Sequence, residues 1–594
     1  MFAAIIRPVR IALATTMAVM LSSCGGGGNS DGAPAPNPVP PPVNRSPVLA
    51  LPNPNQPAVH LHAFDYDVSQ NGRTFTDPDG DALRYEVKLG HAYNPYSDPD
   101  PPHGLRVEGT RVVGIPEEVG FAFVTVTVSD AAGHSENNQF NIIVAPNATP
   151  FVRSAPDDVI VALNESINMD AASNGATFGD TDGDSLTYAV SLRGAPGLVV
   201  NGTRVEGRLT TVGAVEVKVT ARDAYGGALD DIFMIAAPAP APGAPTLPPT
   251  SFVYQDEMLP LPFMYRMSSE WQSPLFDRQA FGNRTTDAGA TLGRVLFHDK
   301  RLSITNTIAC ASCHQQSHGF ASPVASNTGV LGIPLKRNAM ALANARYNIQ
   351  NSWFSDMRVS SLHEVAQQAM QNPEEMGGTL SLTAAKIQAT PFYGPLFQAA
   401  FGTPEVTGTR VLLALEQYVQ ALISYRSKYD RACSSMTNEA IDCSLGLDAQ
   451  EMRGLEIFRG GGNQMCEACH GLPAAANVWQ ANNGIDDVVT DPGTTIPALQ
   501  HDGSLGVFRP AALRNIALTA PYMHDGRFTT LREVIDHYDH GIKDSPNLDF
   551  LLRRNGAPLR MNLVDADKDA LEAFLRTLTD EEMIADPRFA DPFQ

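Results

Sequence analysis

The chain has 594 residues, with 42 lysines and arginines against 64 aspartates and glutamates, which gives a formal net charge of −22. At about 150 residues per domain, this length is too great for one hydrophobic core and predicts about four folded units. The acidic excess argues against a nucleic-acid partner, because phosphate backbones are bound by clustered lysine and arginine. Seven cysteines are too few for a disulfide-built scaffold, and their odd number leaves at least one with another role.

The first 24 residues have the pattern of an export signal, in which two arginines precede an apolar run too short to cross a bilayer. The run ends at Leu21-Ser-Ser-Cys24, which resembles the lipobox of bacterial lipoproteins, where Cys24 becomes the acylated N-terminus. Gly25 follows, and in that family a residue other than aspartate there favours sorting to the outer membrane. We therefore expect an exported protein, in the periplasm or on the cell surface, held to the outer membrane by its lipid alone.

Residues 25–47 are a tether rich in glycine and proline, and an internal repeat follows at 48–145 and 149–237. Thr74-Phe-Thr-Asp-Pro-Asp-Gly-Asp81 in the first copy recurs as Thr177-Phe-Gly-Asp-Thr-Asp-Gly-Asp184 in the second. Strict alternation of apolar residues in both copies predicts half-buried strands. Each copy is therefore predicted to be a β-sandwich, and both resemble the cadherin-like and immunoglobulin-like modules of bacterial surface proteins.

The aspartates of these Asp-x-Asp-Gly-Asp segments offer oxygen atoms of the kind that bind calcium. The segments lack the downstream glutamate of an EF-hand loop, and Asp-Gly is also common in ordinary turns, so both interpretations stay open. We interpret the two sandwiches as spacers that hold the rest of the chain away from the membrane. A Pro-rich linker at 238–250 follows, which in extended form spans roughly 40 Å.

Beyond residue 250 the alternating pattern disappears and helical periodicity predicts a mainly α region. This region contains Cys310-Ala-Ser-Cys313-His314 and Cys466-Glu-Ala-Cys469-His470, two copies of the c-type haem attachment motif. Two thiols separated by two residues reach the two vinyl groups of one porphyrin, and the adjacent histidine ligates the iron. A structural zinc site instead needs four ligands that converge on one ion. The motifs predict two covalently bound haem c groups with His314 and His470 as axial ligands.

The sequence from about 270 to 580 resembles the bacterial dihaem cytochrome c peroxidase and MauG family. The segments that carry this similarity flank the haem motifs, at 292–303, 337–339, 371–377 and 513–526. The resemblance implies two cytochrome-c-like helical lobes with one haem each, a peroxidatic lobe at 251–440 and a second lobe at 441–594. It also implies one calcium ion between them, bound by Asn338 and the backbone carbonyls of Thr519 and Pro521. The expected fold is thus multidomain: two β-sandwich modules, then a mainly α two-lobed dihaem domain.

In this family the first haem reacts with peroxide, and the resemblance implies that His314 is its proximal ligand. Glu375 matches the distal acid–base residue, since a carboxylate above an open iron can take a proton from peroxide and return it to the leaving oxygen. Its neighbour Glu374 is the alternative. Family members that rest in an inactive state keep a removable histidine ligand between Phe320 and Arg337, where this chain has none. The first haem is therefore expected to be five-coordinate and open.

The resemblance makes the second haem the electron-transfer or charge-storing centre. Its sixth ligand is methionine in the peroxidases and tyrosine in MauG, and the matching position here is Tyr538. A hard phenolate stabilises high oxidation states of iron better than a thioether does. Met523, His537 and His540 are the alternatives.

Two positions depart from the family pattern. Ser355 stands where many members have a tryptophan between the haems, and Trp353 either substitutes for it or packs in the core. Val365 stands where a distal glutamine is usual, with Gln367 and Gln368 close by.

Cys433 and Cys443 remain, and export makes a disulfide between them the expected state, with a redox-active thiol pair as the alternative. The expected function is that of a haem peroxidase that reduces hydrogen peroxide with electrons from a small periplasmic donor, or that oxidises a protein substrate. The alternative is a non-catalytic surface electron-transfer cytochrome or haem-bearing adhesin, which the sandwiches and tether favour.

Overall fold

A computed structural model describes most of the chain beyond residue 42. The described residues are 43–91, 104–254, 282–348, 352–433, 435–437, 440–460, 466–471, 480–494, 505–545 and 547–594. The predicted signal, Cys24 and most of the tether lie outside them. The chain divides into two compact units, Met1–Pro146 and Asn147–Gln594. Within the described residues, no helix combines the length and apolar character needed to cross a membrane.

The first unit is a sandwich of two sheets. Its strands are β1 Val48–Leu49, β2 Gln56–Val59, β3 Phe64–Asp67, β4 Phe75–Thr76, β5 Arg84–His91, β6 Leu105–Glu108, β7 Arg111–Gly114, β8 Gly120–Ser129 and β9 Ser135–Ala145. One sheet has the order β2-β9-β8-β5 and the other β3-β7-β6, while β1 pairs with β4. Alternate residues of β8 are buried against Phe75 and Val112, so both sheets share one core.

The second unit begins with a sandwich of the same topology. Its strands are β10 Phe151–Val152, β11 Val159–Ile160, β12 Ile167–Asp170, β13 Phe178–Gly179, β14 Thr187–Gly194, β15 Leu198–Asn201, β16 Arg204–Gly207, β17 Gly213–Arg222 and β18 Ala228–Ala237. The sheet orders β11-β18-β17-β14 and β12-β16-β15 repeat those of the first copy. In both copies the first strand of the larger sheet runs parallel to its neighbour. The sequence repeat is therefore a repeat of structure.

The remainder of the second unit is mainly helical, which confirms the predicted change from β to α. Its helices are α1 Asp287–His298, α2 Cys310–Cys313, α3 Leu362–Gln371, α4 Leu380–Gln388, α5 Tyr393–Phe401, α6 Gly408–Ala421, α7 Lys428–Ala432, α8 Ala449–Phe458, α9 Cys466–Cys469, α10 Leu531–Asp536, α11 Asp565–Arg576 and α12 Glu581–Ala585. Two short hairpins pair β19 Ser435–Thr437 with β20 Ala440–Asp442, and β21 Arg553–Arg554 with β22 Ala557–Pro558.

Two hydrophobic cores define two lobes. The first forms around α1 and α6, and the second around α8 and α11. The lobe boundary differs from the predicted one at the C-terminus, because Met583 and Phe589 are buried in the core of the first lobe. The hydroxyl of Tyr418 donates to the Phe589 carbonyl at 3.1 Å, which adds a polar tie. The last residues of the chain therefore complete the first lobe rather than the second.

The linker at 238–250 lies along the first lobe and is not an extended spacer. The Ala239 N–H donates to the Thr305 carbonyl at 2.8 Å, and the Thr246 N–H donates to the Pro592 carbonyl at 2.7 Å. Between them, the Arg301 guanidinium donates to the Pro242 carbonyl. The linker is thus held on the helical region at three points, while the role of the two sandwiches as spacers stays a prediction.

Candidate functional site

The first haem motif forms one helical turn, α2, followed directly by His314. The His314 N–H donates to the Cys310 carbonyl at 2.9 Å, and the His314 Nδ1 lies 3.0 Å from the Phe320 carbonyl oxygen. A carbonyl accepts only from a protonated nitrogen, so Nδ1 carries the proton and the lone pair of Nε2 is left for a metal. Cys310 and Cys313 form no disulfide, so both thiols are available to form thioether bonds with the vinyl groups of a haem. This donor set fits a covalently attached haem.

The second motif, in α9, repeats this arrangement. The His470 N–H donates to the Cys466 carbonyl at 2.8 Å, and the His470 Nδ1 lies 2.9 Å from the Ala511 carbonyl oxygen. Cys466 and Cys469 are likewise free. The two motifs therefore prepare the same ligand geometry in the two lobes.

A cavity of about 300 Å³ opens beside the second motif. Cys466, Cys469 and His470 line it, together with leucine, isoleucine and phenylalanine side chains, as an apolar porphyrin requires. The three residues predicted to bind calcium line the same cavity; they are Asn338, Thr519 and Pro521. The structure thus brings these three residues together beside the second motif.

The candidate sixth ligands of the second haem occupy different surroundings. Tyr538 lies in a π turn, His537–Gly541, and lines the cavity, as does Met523. Burial raises the pKa of Tyr538 to about 12, and the Cys469 and Cys466 sulfurs add to the rise, which places the phenol near them. The two histidines are engaged elsewhere.

The Nε2 of His537 lies 3.1 Å from the Asn483 carbonyl oxygen. The His540 side chain is 61% exposed and pairs with Asp539. Of the four candidates, Tyr538 and Met523 are therefore the two that line the cavity.

Two adjacent glutamates, Glu375 and Glu374, point to different neighbours. Asn372 donates its side-chain N–H to the Glu375 Oε1 at 2.9 Å, and burial raises the pKa of Glu375. Burial raises the pKa of Cys313 to about 11, and the negative charge of Glu375 adds to that rise, so this carboxylate lies near the first haem's thiols. Glu374 instead forms an ion pair with Arg193 of the second sandwich at 2.5 Å.

The positions that depart from the family pattern have clear places in the fold. Trp353 is buried with Val359 and Leu362, and Val365 packs against the same cluster. This packing is what the second of the two interpretations of Trp353 predicts. Ser355 lines the cavity of the second haem instead.

Gln368 is linked to Glu375 through Arg358. Its Oε1 accepts from the Arg358 Nε at 2.9 Å, and the positive charge of Arg358 lowers the pKa of Glu375. The sequence alone does not identify Arg193 and Asn372 as contacts of the glutamates. Asn372 lies within the family segment and was detectable there, whereas Arg193 is 181 residues away from Glu374 and gave no signal.

Both sandwiches gather aspartates at equivalent positions. Ligand-type oxygens lie within 4.8 Å of one another in the groups Asp77, Asp81 and Asp130, and Asp180, Asp184 and Asp223. Asp79, which the Asp-x-Asp-Gly-Asp pattern also suggested, is paired with Arg45 at 2.7 Å. Calcium binding in the sandwiches stays a prediction.

In the helical region, a disulfide joins Cys433 and Cys443.

Comparisons with known proteins agree with the two haem motifs. The family model for di-haem cytochrome c peroxidase matches residues 287–438. The methylamine utilization protein MauG of Methylorubrum extorquens is 30% identical over 311 residues, which cover 50% of this chain and 80% of that protein. The cytochrome c551 peroxidase of Nitrosomonas europaea is 30% identical over 250 residues, which cover 42% of this chain and 71% of that protein.

Among solved structures, a MauG-like protein associated with microbial copper homeostasis is 30% identical, with a TM-score of 0.45, and the match covers 52% of this chain and 95% of that chain. Several of the similar proteins are named as peroxidases, and their family is defined by two haems. The residues that the family model matches, 287–438, lie in the helical part of the chain and include the first Cys-x-x-Cys-His motif. The chain therefore belongs to the dihaem cytochrome c peroxidase and MauG family of haem enzymes, and its cofactors are two haem c groups.

Proposed function

We propose that the protein reduces hydrogen peroxide at the first haem and receives electrons, through the second haem, from a small periplasmic donor. The observation that carries this proposal is the position of Glu375, a mostly buried carboxylate whose charge acts on Cys313 of the first haem motif. The haem supplies the iron at which the peroxide O–O bond is cleaved. Glu375 takes the proton from the attacking peroxide oxygen and delivers it to the leaving oxygen.

Other residues of the first lobe prepare this step. The Phe320 carbonyl fixes the ring of His314, so that Nε2 points away from the hydrogen bond and is free for iron. Asn372 holds one oxygen of Glu375, which leaves the other for the peroxide. Burial keeps the pKa of Glu375 above its ordinary value, closer to the range in which a carboxyl both accepts and returns a proton.

A second candidate function is the oxidation of a protein substrate, as MauG relatives suggest. The observation that favours it is Tyr538, a buried phenol in the wall of the second-haem cavity. A phenolate ligand stabilises higher oxidation states of iron, which suits the storage of oxidising equivalents. Both candidates share the chemistry at the first haem and differ in where the electrons originate.

Calcium binding and the lipid anchor are further parts of this proposal. Asn338 donates its side-chain N–H to the Val324 carbonyl at 2.9 Å, which leaves its Oδ1 as an oxygen ligand. The carbonyls of Thr519 and Pro521 would complete the protein's share of one calcium site. Acylation of Cys24 would hold the exported protein to the outer membrane.

A peroxide titration of the full-length protein tests the proposal. Pyridine haemochrome measurement first establishes two c-type haems per chain, and stopped-flow mixing with peroxide then gives the second-order rate constant. Replacement Glu375→Gln is expected to lower that constant about 100- to 10,000-fold. The matched control is Glu405→Gln, which removes an exposed carboxylate from the same lobe.

Two outcomes would overturn the assignment. An equal or greater loss in Glu374→Gln would make Glu374 the acid–base residue. A two-haem protein that does not react with peroxide would favour the non-catalytic electron-transfer cytochrome.

A further inference from the structure

The second sandwich packs directly against the loop that carries Glu375. One buried apolar cluster contains residues from both sides of this contact: Ala214, Met234 and Ala236 of the sandwich and Ile304, Val330 and Leu331 of the first lobe. All six are at least nine-tenths buried. This face of the sandwich is therefore buried against the first lobe.

The lobe residues in this cluster also hold the backbone of loop 372–378. The Val330 N–H donates to the Glu375 carbonyl, and the Ile304 N–H donates to the Met376 carbonyl, each at 2.9 Å. Gly377 has a φ of +64°, and a Cβ there would stand 2.8 Å from Val330 and 3.3 Å from the Met234 methyl. The loop is thus enclosed between the lobe and the sandwich, with no room for a larger residue at this turn.

Polar contacts tie the two ends of the loop to the sandwich. Arg193 donates to Glu374 at 2.5 Å and to Glu216 at 2.7 Å, so it joins the loop to strand β17. At the other end, Asp158 accepts from the Thr379 N–H at 3.1 Å and from the Met234 N–H at 3.0 Å. Its two oxygens join strand β18 to the residue that follows the loop.

The first sandwich lacks this contact face. Ala214 pairs with Ala236 across strands β17 and β18, and the equivalent pair in the first copy is Phe121 with Ile143. Phe121 is 55% exposed and Ile143 is 40% exposed. Alanines at these two positions let the second sandwich approach the lobe, whereas the larger side chains of the first copy would prevent it. The second copy therefore has small residues where it meets the first lobe.

We propose that the second sandwich is a positioning element of the peroxidatic site, which holds loop 372–378 so that Glu375 faces the first haem. Arg193 is the positioning residue that holds Glu374 and balances its charge. This inference rests on the proposed role of Glu375. The sandwich does not take part in the chemistry, and its effect is on the placement and charge environment of the acid–base group.

The charged groups around the loop indicate how Arg193 affects the pKa of Glu375. Arg358 and Glu374 both act on Glu375, with Arg358 lowering its pKa and Glu374 raising it. Arg193 and, through it, Glu216 face Glu374, while Asp158 faces the loop end at Thr379. Loss of Arg193 leaves the charge of Glu374 unbalanced, and the pKa of Glu375 is then expected to rise further.

A residue exchange between the two sandwiches tests the contact. The double variant Ala214→Phe with Ala236→Ile introduces the side chains of the first copy, and Phe121→Ala with Ile143→Ala is the matched control. Both are prepared as full-length protein with two haems and an unchanged second-haem spectrum. The second-sandwich variant is expected to react with peroxide about 10- to 100-fold more slowly, because small displacements of reacting groups have large effects on rate. The control is expected to retain the parental rate.

Arg193→Gln provides a test that does not depend on tight packing, since this side chain is 41% exposed. The deprotonated form of Glu375 is the reactive one. A raised pKa is therefore expected to shift the midpoint of the pH–rate profile to higher pH. Adding Glu374→Gln to Arg193→Gln removes the unbalanced charge and is expected to bring the midpoint back down. A simple loss of structure would not be reversed by this second change.

The outcomes separate the two levels of the hypothesis. If Glu375→Gln slows the peroxide reaction while the sandwich variants and Arg193→Gln keep the parental rate and pH midpoint, the positioning role is wrong and the proposed function stands. If Glu375→Gln itself keeps the parental rate, the proposed function fails and the positioning role fails with it.

Discussion

Gly454 of α8 lies so close to Ala570 of α11 that a Cβ on the glycine would stand 2.0 Å from the alanine carbonyl oxygen. Gly293 of α1 has the same relationship to Ala414 of α6, also at 2.0 Å. Each lobe is therefore built on the same helix crossing, with a glycine at the point of closest approach. The lobes repeat each other in their packing as well as in their haem motifs.

Alanine at either glycine is expected to destabilise the protein. Gly454→Ala or Gly293→Ala forces the two helices apart, and overpacking of this kind lowers the free energy of unfolding by about 1–3 kcal/mol. Gly394→Ala in α5 is the control, because the nearest atom to its Cβ would be 3.9 Å away. Because position 394 lies in the first turn and directly precedes Pro395, alanine there is expected to change the free energy of unfolding by less than about 1 kcal/mol. Urea unfolding measures the free energy of unfolding of all three variants. A stabilised Gly454→Ala variant would contradict the close helix crossing.

The sequence contains a signal for this crossing in the shared spacing of Gly293-Arg-Val-Leu-Phe297 and Gly454-Leu-Glu-Ile-Phe458. The haem motifs and the β repeat were detectable for the same reason, since each is a local pattern that occurs twice. The pairing of Arg193 with Glu374 has no such pattern, because it depends on how the sandwich settles on the lobe. The return of Phe589 to the first core is likewise set by tertiary packing alone.

Tyr538 and Met523 are distinguished by spectroscopy of the second haem. Both line its cavity, and the phenol lies near Cys466 and Cys469. Tyr538→Phe is expected to change the absorption and paramagnetic resonance signals of that haem and leave those of the first haem unaltered, because a phenyl ring cannot ligate iron. Met523→Leu, the control, should leave both sets of signals unchanged. The reverse pattern would assign the methionine as ligand.

Arg337 connects the two lobes through an ion pair whose strength depends on pH. It donates to Asp491 at 2.6 and 2.7 Å and to Asp356 at 2.6 Å. The hydrogen bonds from Arg337 hold the pKa of Asp491 below its ordinary value. A carboxyl whose pKa is lower in the folded state stabilises the protein above its unfolded pKa, near 4, and this contribution is lost as pH falls.

Asp491→Asn is therefore expected to lower the free energy of unfolding at pH 7 by about 1–3 kcal/mol. The difference from the parent should shrink as the pH falls from about 5 toward 3, because protonation weakens the same ion pair in the parent. Urea unfolding at several pH values measures this difference in free energy. Asp487→Asn, at an exposed position, is the control. A difference that grows at low pH would show that Asp491 does not stabilise through its charge.

The disulfide between Cys433 and Cys443 is expected to be structural. Both residues are buried in the core of the second lobe, and their bridge closes a short loop. The double variant Cys433→Ala with Cys443→Ala should lower the free energy of unfolding by about 2–3 kcal/mol, because the unfolded chain gains conformational freedom. It should retain two haems, since the haem cysteines form no part of the bridge. The rate with peroxide, measured alongside, should match that of the parent, whereas a slower reaction with stability intact would identify a redox-active thiol pair.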